Sequence, residues 1–133
     1  MTHVMIVENS EKPCSSAKNL LSSLNYEIVF QTSNGYEAIE KYALMKPDLL
    51  LLDLNLSKHE GLSVLKEIKK NHPESKIIIM TLLPNQEILE ECIQFGANAC
   101  ITIPYKLKDF VTLVTALCNS STTKPKVAPV ILD

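Results

Sequence analysis

Two acidic side chains and a hydroxyl stand at the ends of three apolar segments that are far apart in the sequence. Asp53 ends "DLLLLD", Glu8 follows "THVMIV", and Thr81 ends "KIIIMT". A charge at the end of a buried strand is unfavourable unless it has a partner. In open α/β sheets, ligands bind beyond the carboxyl ends of the strands. If one parallel sheet gathers these ends, the three side chains predict a polar ligand site.

The elements that would position these residues alternate along the chain. Five apolar segments predict strands, at 2–7, 26–31, 48–53, 76–81 and 99–103. Apolar residues at helical spacing predict five helices, marked by Leu20, Leu21 and Leu24, by Ala38, Ile39, Tyr42 and Ala43, by Leu62, Leu65 and Ile68, by Ile88, Leu89, Cys92 and Ile93, and by Phe110, Val111, Val114 and Leu117. The order (βα)5 predicts right-handed crossovers and a doubly wound parallel sheet with helices on both faces.

The length of 133 residues fits a single α/β domain. We expect this domain to span residues 1–119. The last stretch, 120–133, is polar and contains prolines, which predicts a tail or linker. Gly96 suits a left-handed stop after the fourth helix.

Composition excludes several classes of function. The net charge is -2 and all thirteen cationic side chains are lysine, so there is no arginine to read guanine and we expect no direct nucleic-acid binding. No apolar stretch is long enough to cross a bilayer, so we expect no membrane partner.

The four cysteines show no metal-ligand spacing and no signal peptide is apparent, which predicts a cytoplasmic protein. The first strand is followed by "ENSEKPCSS", which has no glycine to cradle a nucleotide or flavin phosphate.

Four stretches together resemble the response-regulator receiver domain of two-component signalling. They are "VMIVENS", "PDLLLLDLNLSKHEGLSVLKEI", "IIIMT" and "GANACITIPY", in the family's order over roughly residues 2 to 118. The resemblance implies a flavodoxin-like fold with strand order 2-1-3-4-5. It also implies that the Ile103–Pro104 bond is cis.

The resemblance also assigns roles to individual residues. It implies that Asp53 is the phosphoacceptor for a histidine kinase and that Thr81 is the switch hydroxyl that turns toward the phosphate. Glu8 and Asn9 match the two acidic metal positions, and the carbonyl of Asn55 is a further ligand beside Asp53. Mg²⁺ accepts one or two carboxylates with waters and phosphoryl oxygens, which is consistent with this set.

Several positions depart from the family pattern. Asn9 is neutral where the direct metal ligand is usually aspartate, so we expect weak or absent Mg²⁺ binding. Ile103 stands where the family has a lysine, and Lys106 is separated from that position by a proline turn. Leu82 is bulky where a small residue is usual, and Cys100 replaces the switch aromatic residue.

We therefore expect an atypical receiver domain, not an enzyme, that acts through protein contacts with weak or absent phosphorylation of Asp53. The alternative is a conventional receiver that accepts a phosphoryl group at Asp53. A third hypothesis is an interaction domain whose tail once led to an effector, such as a DNA-binding module, that has been removed or is absent. The partners would be a histidine kinase or another signalling protein. A homodimer would use the face of the fourth helix, fifth strand and fifth helix, through Tyr105, Phe110, Leu113 and Leu117.

Overall fold

The computed structural model of the protein describes residues 1–9, 15–56, 61–82, 86–103 and 105–119. Strands and helices alternate strictly along these residues, which confirms the predicted (βα)5 order. The elements are β1 (His3–Val7), α1 (Ser15–Ser23), β2 (Glu27–Thr32), α2 (Gly35–Met45), β3 (Leu49–Asp53), α3 (Gly61–Asn71), β4 (Ile77–Thr81), α4 (Gln86–Gln94), β5 (Ala99–Thr102) and α5 (Leu107–Cys118).

The strands form one parallel sheet in the order β2-β1-β3-β4-β5, so the predicted flavodoxin-like topology is confirmed. The pairing fixes which strand ends lie side by side. Val7 pairs with Leu52 across β1 and β3, and Asp53 pairs with Met80 across β3 and β4. Because all the strands run the same way, their carboxyl ends lie along a single edge of the sheet.

Alternate side chains of the sheet enter two separate apolar cores. Met5, Leu50, Leu52 and Ile79 belong to the core beneath α2, α3 and α4. The second core lies beneath α1 and α5 and contains Val4, Ile6, Leu49, Leu51, Ile78, Met80 and Phe110. Every residue of β3 and β4 is buried, which explains why these strands appear as unbroken apolar runs.

The ends of the elements differ from the predicted ends by about one residue. β2 runs from Glu27 to Thr32, and β5 ends at Thr102, so Ile103 lies just beyond the strand. The backbone of Gly96 has a φ of 101°, which confirms the predicted left-handed stop after α4. At the end of α2, Lys46 takes the left-handed conformation with a φ of 44°.

The residues chosen for a dimer surface are wrong in part. Phe110 is fully buried, Leu117 is 9% exposed, and the ring of Tyr105 stacks on Phe110 at 4.7 Å between centroids. Helical spacing identifies an apolar face but does not show whether that face packs on the sheet or on a partner protein. On α4 and α5, the large apolar side chains that are exposed are instead Ile88 and Leu107, which are 42% and 56% exposed.

Three expectations fall outside the described residues. They are the cis bond preceding Pro104, the tail at 120–133, and the domain limit at 119, which depends on that tail. Across the part of the chain that the structure describes, no helix combines the length and apolar character needed to cross a membrane.

Candidate functional site at the carboxyl edge of the sheet

The sheet brings the three polar strand ends together as predicted. Glu8 follows β1, Asp53 ends β3, and Thr81 ends β4; all three side chains are at least 95% buried. β3 is hydrogen bonded to both β1 and β4, and neighbouring strands lie about 4.8 Å apart. The structure therefore places two carboxyl groups and a hydroxyl on adjacent strands at one edge.

Backbone amides bind both carboxylate oxygens of Asp53. The N–H of Asn9 donates to Oδ2 at 3.3 Å, and the N–H of Asn55 donates to Oδ1 at 2.8 Å. These bonds link the loops after β1 and β3 through a buried carboxylate. The two amides therefore fix the orientation of the Asp53 carboxyl group.

Two side-chain amides donate to other oxygens near Asp53. The Nδ2 of Asn9 donates to the carbonyl oxygen of Asn55 at 2.9 Å. The Nε2 of Gln31 donates to Oε1 of Glu8. Sequence reasoning missed Gln31, although a glutamine near the end of the strand beside β1 was a usable signal.

Ile103 directly follows β5 and packs against the apolar core. Its N–H donates to the carbonyl of Thr81 at 2.7 Å, and its half-buried side chain packs against the core beneath α1 and α5. Lys106 is exposed at the N-cap of α5. The ion pairs found among the described residues do not include Asp53. Neither Ile103 nor Lys106 therefore places a cation against the Asp53 carboxyl group.

The two remaining departures are Cys100 on β5 and Leu82 directly after β4. Cys100 is buried in β5, and burial, together with nearby Cys92, raises the pKa of its thiol to about 12. The thiol is therefore protonated at neutral pH and behaves as a small core side chain. Leu82 directly follows Thr81 and its side chain is half-buried, so part of it remains accessible to solvent.

Gly61 is required by close backbone packing at the start of α3. A methyl group on Gly61 would lie 2.4 Å from the carbonyl oxygen of Asp53 and 2.5 Å from the Cα of Leu54. The N–H of Gly61 also donates to the carbonyl of Leu54 at 3.2 Å. The first turn of α3 is therefore in direct backbone contact with Asp53 and Leu54.

We expect Gly61→Ala to lower the free energy of unfolding by about 1 to 3 kcal/mol. Alanine is the better helix former by up to ~1 kcal/mol, but the clash with rigid backbone outweighs that gain. Urea denaturation measures the change. Ala43→Gly, on the exposed side of α2, is the control for helix propensity and should lower stability by roughly 0.5 to 1 kcal/mol. A Gly61→Ala protein at least as stable as wild type would contradict the packing argument.

Comparison with known proteins identifies the family. Residues 4–115 match the response regulator receiver domain. Chemotaxis protein CheY of Thermotoga maritima is 32% identical over 103 residues, which cover 77% of this chain and 86% of that protein. CheY of Bacillus subtilis is 31% identical over 120 residues, covering 90% and 100%. CheY in the CheX-CheY-BeF3-Mg complex of Borrelia burgdorferi has the same fold, with a TM-score of 0.83, 21% identity and 90% of each chain covered.

The fold and the strand-end site thus define a CheY-like α/β signalling module. The chain belongs to the response-regulator receiver domain family, as its motifs predict. As a CheY-like receiver, it acts in two-component signal transduction. Receiver domains are generally signalling modules that lack enzymatic activity, and they bind Mg²⁺ at their phosphorylation site.

Proposed function

We propose that this protein is an atypical receiver that signals through protein contacts, with weak or absent phosphorylation of Asp53. The observation that carries the proposal is the set of partners around Asp53. Its two oxygens accept hydrogen bonds from the backbone amides of Asn9 and Asn55, while Ile103 packs where the family has a lysine. Phosphoryl transfer depends on positioned positive charge, and isoleucine supplies none.

The pocket also fits a divalent cation poorly. Glu8 and Asp53 supply two carboxylates, but Asn9 is neutral and its amide donates to the carbonyl of Asn55. Across the described residues, no group of three or more histidine, cysteine, aspartate or glutamate side chains could hold a metal ion. When bound in a receiver pocket, Mg²⁺ neutralises charge on the transferring phosphoryl group. We infer that Glu8, Asp53 and the Asn55 carbonyl would hold it weakly.

The alternative is a conventional phosphoacceptor, and one feature favours it. Asp53 and Thr81 end adjacent strands, so a hydroxyl and the acceptor carboxyl group lie at neighbouring strand ends. In this reading, the two backbone amides orient Asp53 for attack, and Thr81 then donates to the added phosphoryl oxygen. The half-buried side chain of Leu82 would narrow the approach of a phosphodonor, which counts against rapid transfer.

The proposed partners are a histidine kinase or another signalling protein. CheY-like receivers contact such proteins, and the Borrelia structure holds CheY together with CheX. For this chain, a contact or homodimer through α4, β5 and α5 would use the exposed side chains of Ile88 and Leu107. We also infer that residues 120–133 serve as a tail or linker and that the protein is cytoplasmic and not an enzyme.

We expect acetyl phosphate with Mg²⁺ to label the protein slowly or not at all. Loss of one positioned donor costs ~10²-fold in rate, and here a charged metal ligand and a lysine are both replaced. Intact-mass spectrometry at successive times measures the phosphorylated fraction. Asp53→Asn is the control that identifies any label at Asp53, and a conventional receiver shows that the donor is active. Stoichiometric labelling at Asp53 within minutes would establish the alternative.

A further inference from the structure

The side-chain amides of Asn9 and Gln31 both donate hydrogen bonds at the carboxyl edge of the sheet, and we call them the amide pair. Each donates to an oxygen that the family resemblance assigns to Mg²⁺: the Asn55 carbonyl receives the Asn9 amide, and Oε1 of Glu8 receives the Gln31 amide. The two bonds connect residues 46 and 23 positions apart in the sequence. Together they tie the ends of β1, β2 and β3 to one another.

The chemistry of these bonds fixes the direction of the Asn9 amide. A backbone carbonyl oxygen can only accept hydrogen bonds, so the NH₂ group of Asn9 must face Asn55. An amide N–H carries a partial positive charge and satisfies the carbonyl lone pair without adding net charge. The carbonyl oxygen has a second lone pair, but a cation bound to it would lie beside this NH₂ group and would be repelled by its partial positive charge.

We propose that the amides of Asn9 and Gln31 replace the divalent cation in holding this pocket together. The family resemblance implies a cation that would be held by carboxylates and a carbonyl, and this chain places two neutral donors, from β2 and the loop after β1, on two of those oxygens. The pocket then keeps its conformation without Mg²⁺. The inference rests on the proposed function, which makes the cation dispensable, but its own test does not depend on phosphorylation.

Thermal unfolding with and without millimolar Mg²⁺, at matched ionic strength, tests the replacement. We expect the wild-type melting temperature to move by less than about 1 °C, because a ligand present well below its dissociation constant stabilises the native state very little. A rise of several degrees in wild type would overturn the proposal. This measurement needs no variant, so it holds even if a substitution prevents folding.

Asn9→Asp should make the protein depend on Mg²⁺. The substitution turns the amide donor into a carboxylate that faces the Asn55 carbonyl and lies near Glu8 and Asp53. We expect a melting temperature about 5 °C lower without Mg²⁺ and recovery when Mg²⁺ is added. Asn71→Asp is the matched control, because the Asn71 amide donates to Glu67 at 3.0 Å on the exposed end of α3. If Asn9→Asp behaves like this control, the proposal is wrong.

Gln31→Glu tests the second amide in the same way. It places a carboxylate against Glu8, so the melting temperature should fall by a few degrees and recover in part with Mg²⁺. Gln86→Glu is its control, since the Gln86 amide donates to Glu90 at 3.1 Å on an exposed helix face. Equal effects at both glutamines would contradict a role for Gln31.

The labelling assay separates this inference from the proposed function. A wild-type protein that is insensitive to Mg²⁺ in unfolding, but is labelled at Asp53 within minutes, would refute the proposed function and leave the amide pair intact. An unlabelled protein whose melting temperature rises with Mg²⁺ would refute the amide pair alone.

Discussion

Asn9→Asp combined with Ile103→Lys should recover labelling of Asp53 by acetyl phosphate and Mg²⁺, and by more than either change alone. Each substitution restores a charge that acts on the same phosphoryl oxygens: aspartate by binding the cation, lysine by direct contact. Removing one such group typically lowers a rate by ~10²-fold, so the double variant should label faster than wild type by at least that factor. Initial rates from intact-mass spectrometry measure the gain.

The structure places both positions where the substituted side chains can act. The backbone of Asn9 already contacts Asp53, and the backbone of Ile103 is hydrogen bonded to Thr81. A lysine at position 103 can keep its methylene stem against the core beneath α1 and α5 while its ammonium group extends toward the strand ends. The two changes therefore require no rearrangement of the sheet.

A matched control separates the local effect from a change in overall charge. Asn71→Asp with Ile88→Lys makes the same chemical changes at two exposed helix positions and should leave labelling as in wild type. If the double variant at the site labels no faster than the better single variant, the two charges do not act together. Faster labelling after further adding Leu82→Ala would then identify crowding by Leu82 as the barrier.

The sequence predicts the sheet well because its central strands are buried on both faces. No residue of β3 or β4 faces solvent, so neither strand alternates apolar with polar side chains. The continuous apolar runs "LLLLD" and "IIIMT" are therefore typical of buried parallel strands. With the strands placed, parallel topology alone brings Glu8, Asp53 and Thr81 to one edge. What the sequence does not show is how each side chain is hydrogen bonded. The direction of the Asn9 amide and the contact of Gln31 with Glu8 depend on tertiary distances of a few ångströms.

The error in the dimer surface has a similar cause. Periodicity in α5 shows that Phe110, Val114 and Leu117 share one face, but an apolar face can cover either the sheet or a partner. The structure resolves this point, because that face lies against β-strand residues such as Val4 and Ile101. Leu107, the first residue of the same helix, remains 56% exposed although its spacing places it on the same side as Val114.

Phe110→Ala should therefore lower the free energy of unfolding by about 3 to 5 kcal/mol, the range for emptying a buried aromatic site. Phe110 is fully buried, and its ring stacks on Tyr105, so alanine removes both packing and the ring contact. Small domains are stable by only about 5 to 15 kcal/mol, so this substitution takes a large share of the total. Urea denaturation at fixed protein concentration measures the loss.

Leu107→Ala is the control on the same helix, since its side chain is 56% exposed. It should change the free energy of unfolding by no more than about 0.5 kcal/mol. Light scattering at several protein concentrations then distinguishes folding from association. If α4, β5 and α5 form a homodimer, Leu107→Ala weakens the dimer while leaving the monomer stable. A Phe110→Ala protein that unfolds like wild type but no longer associates would instead show that Phe110 lies at an interface.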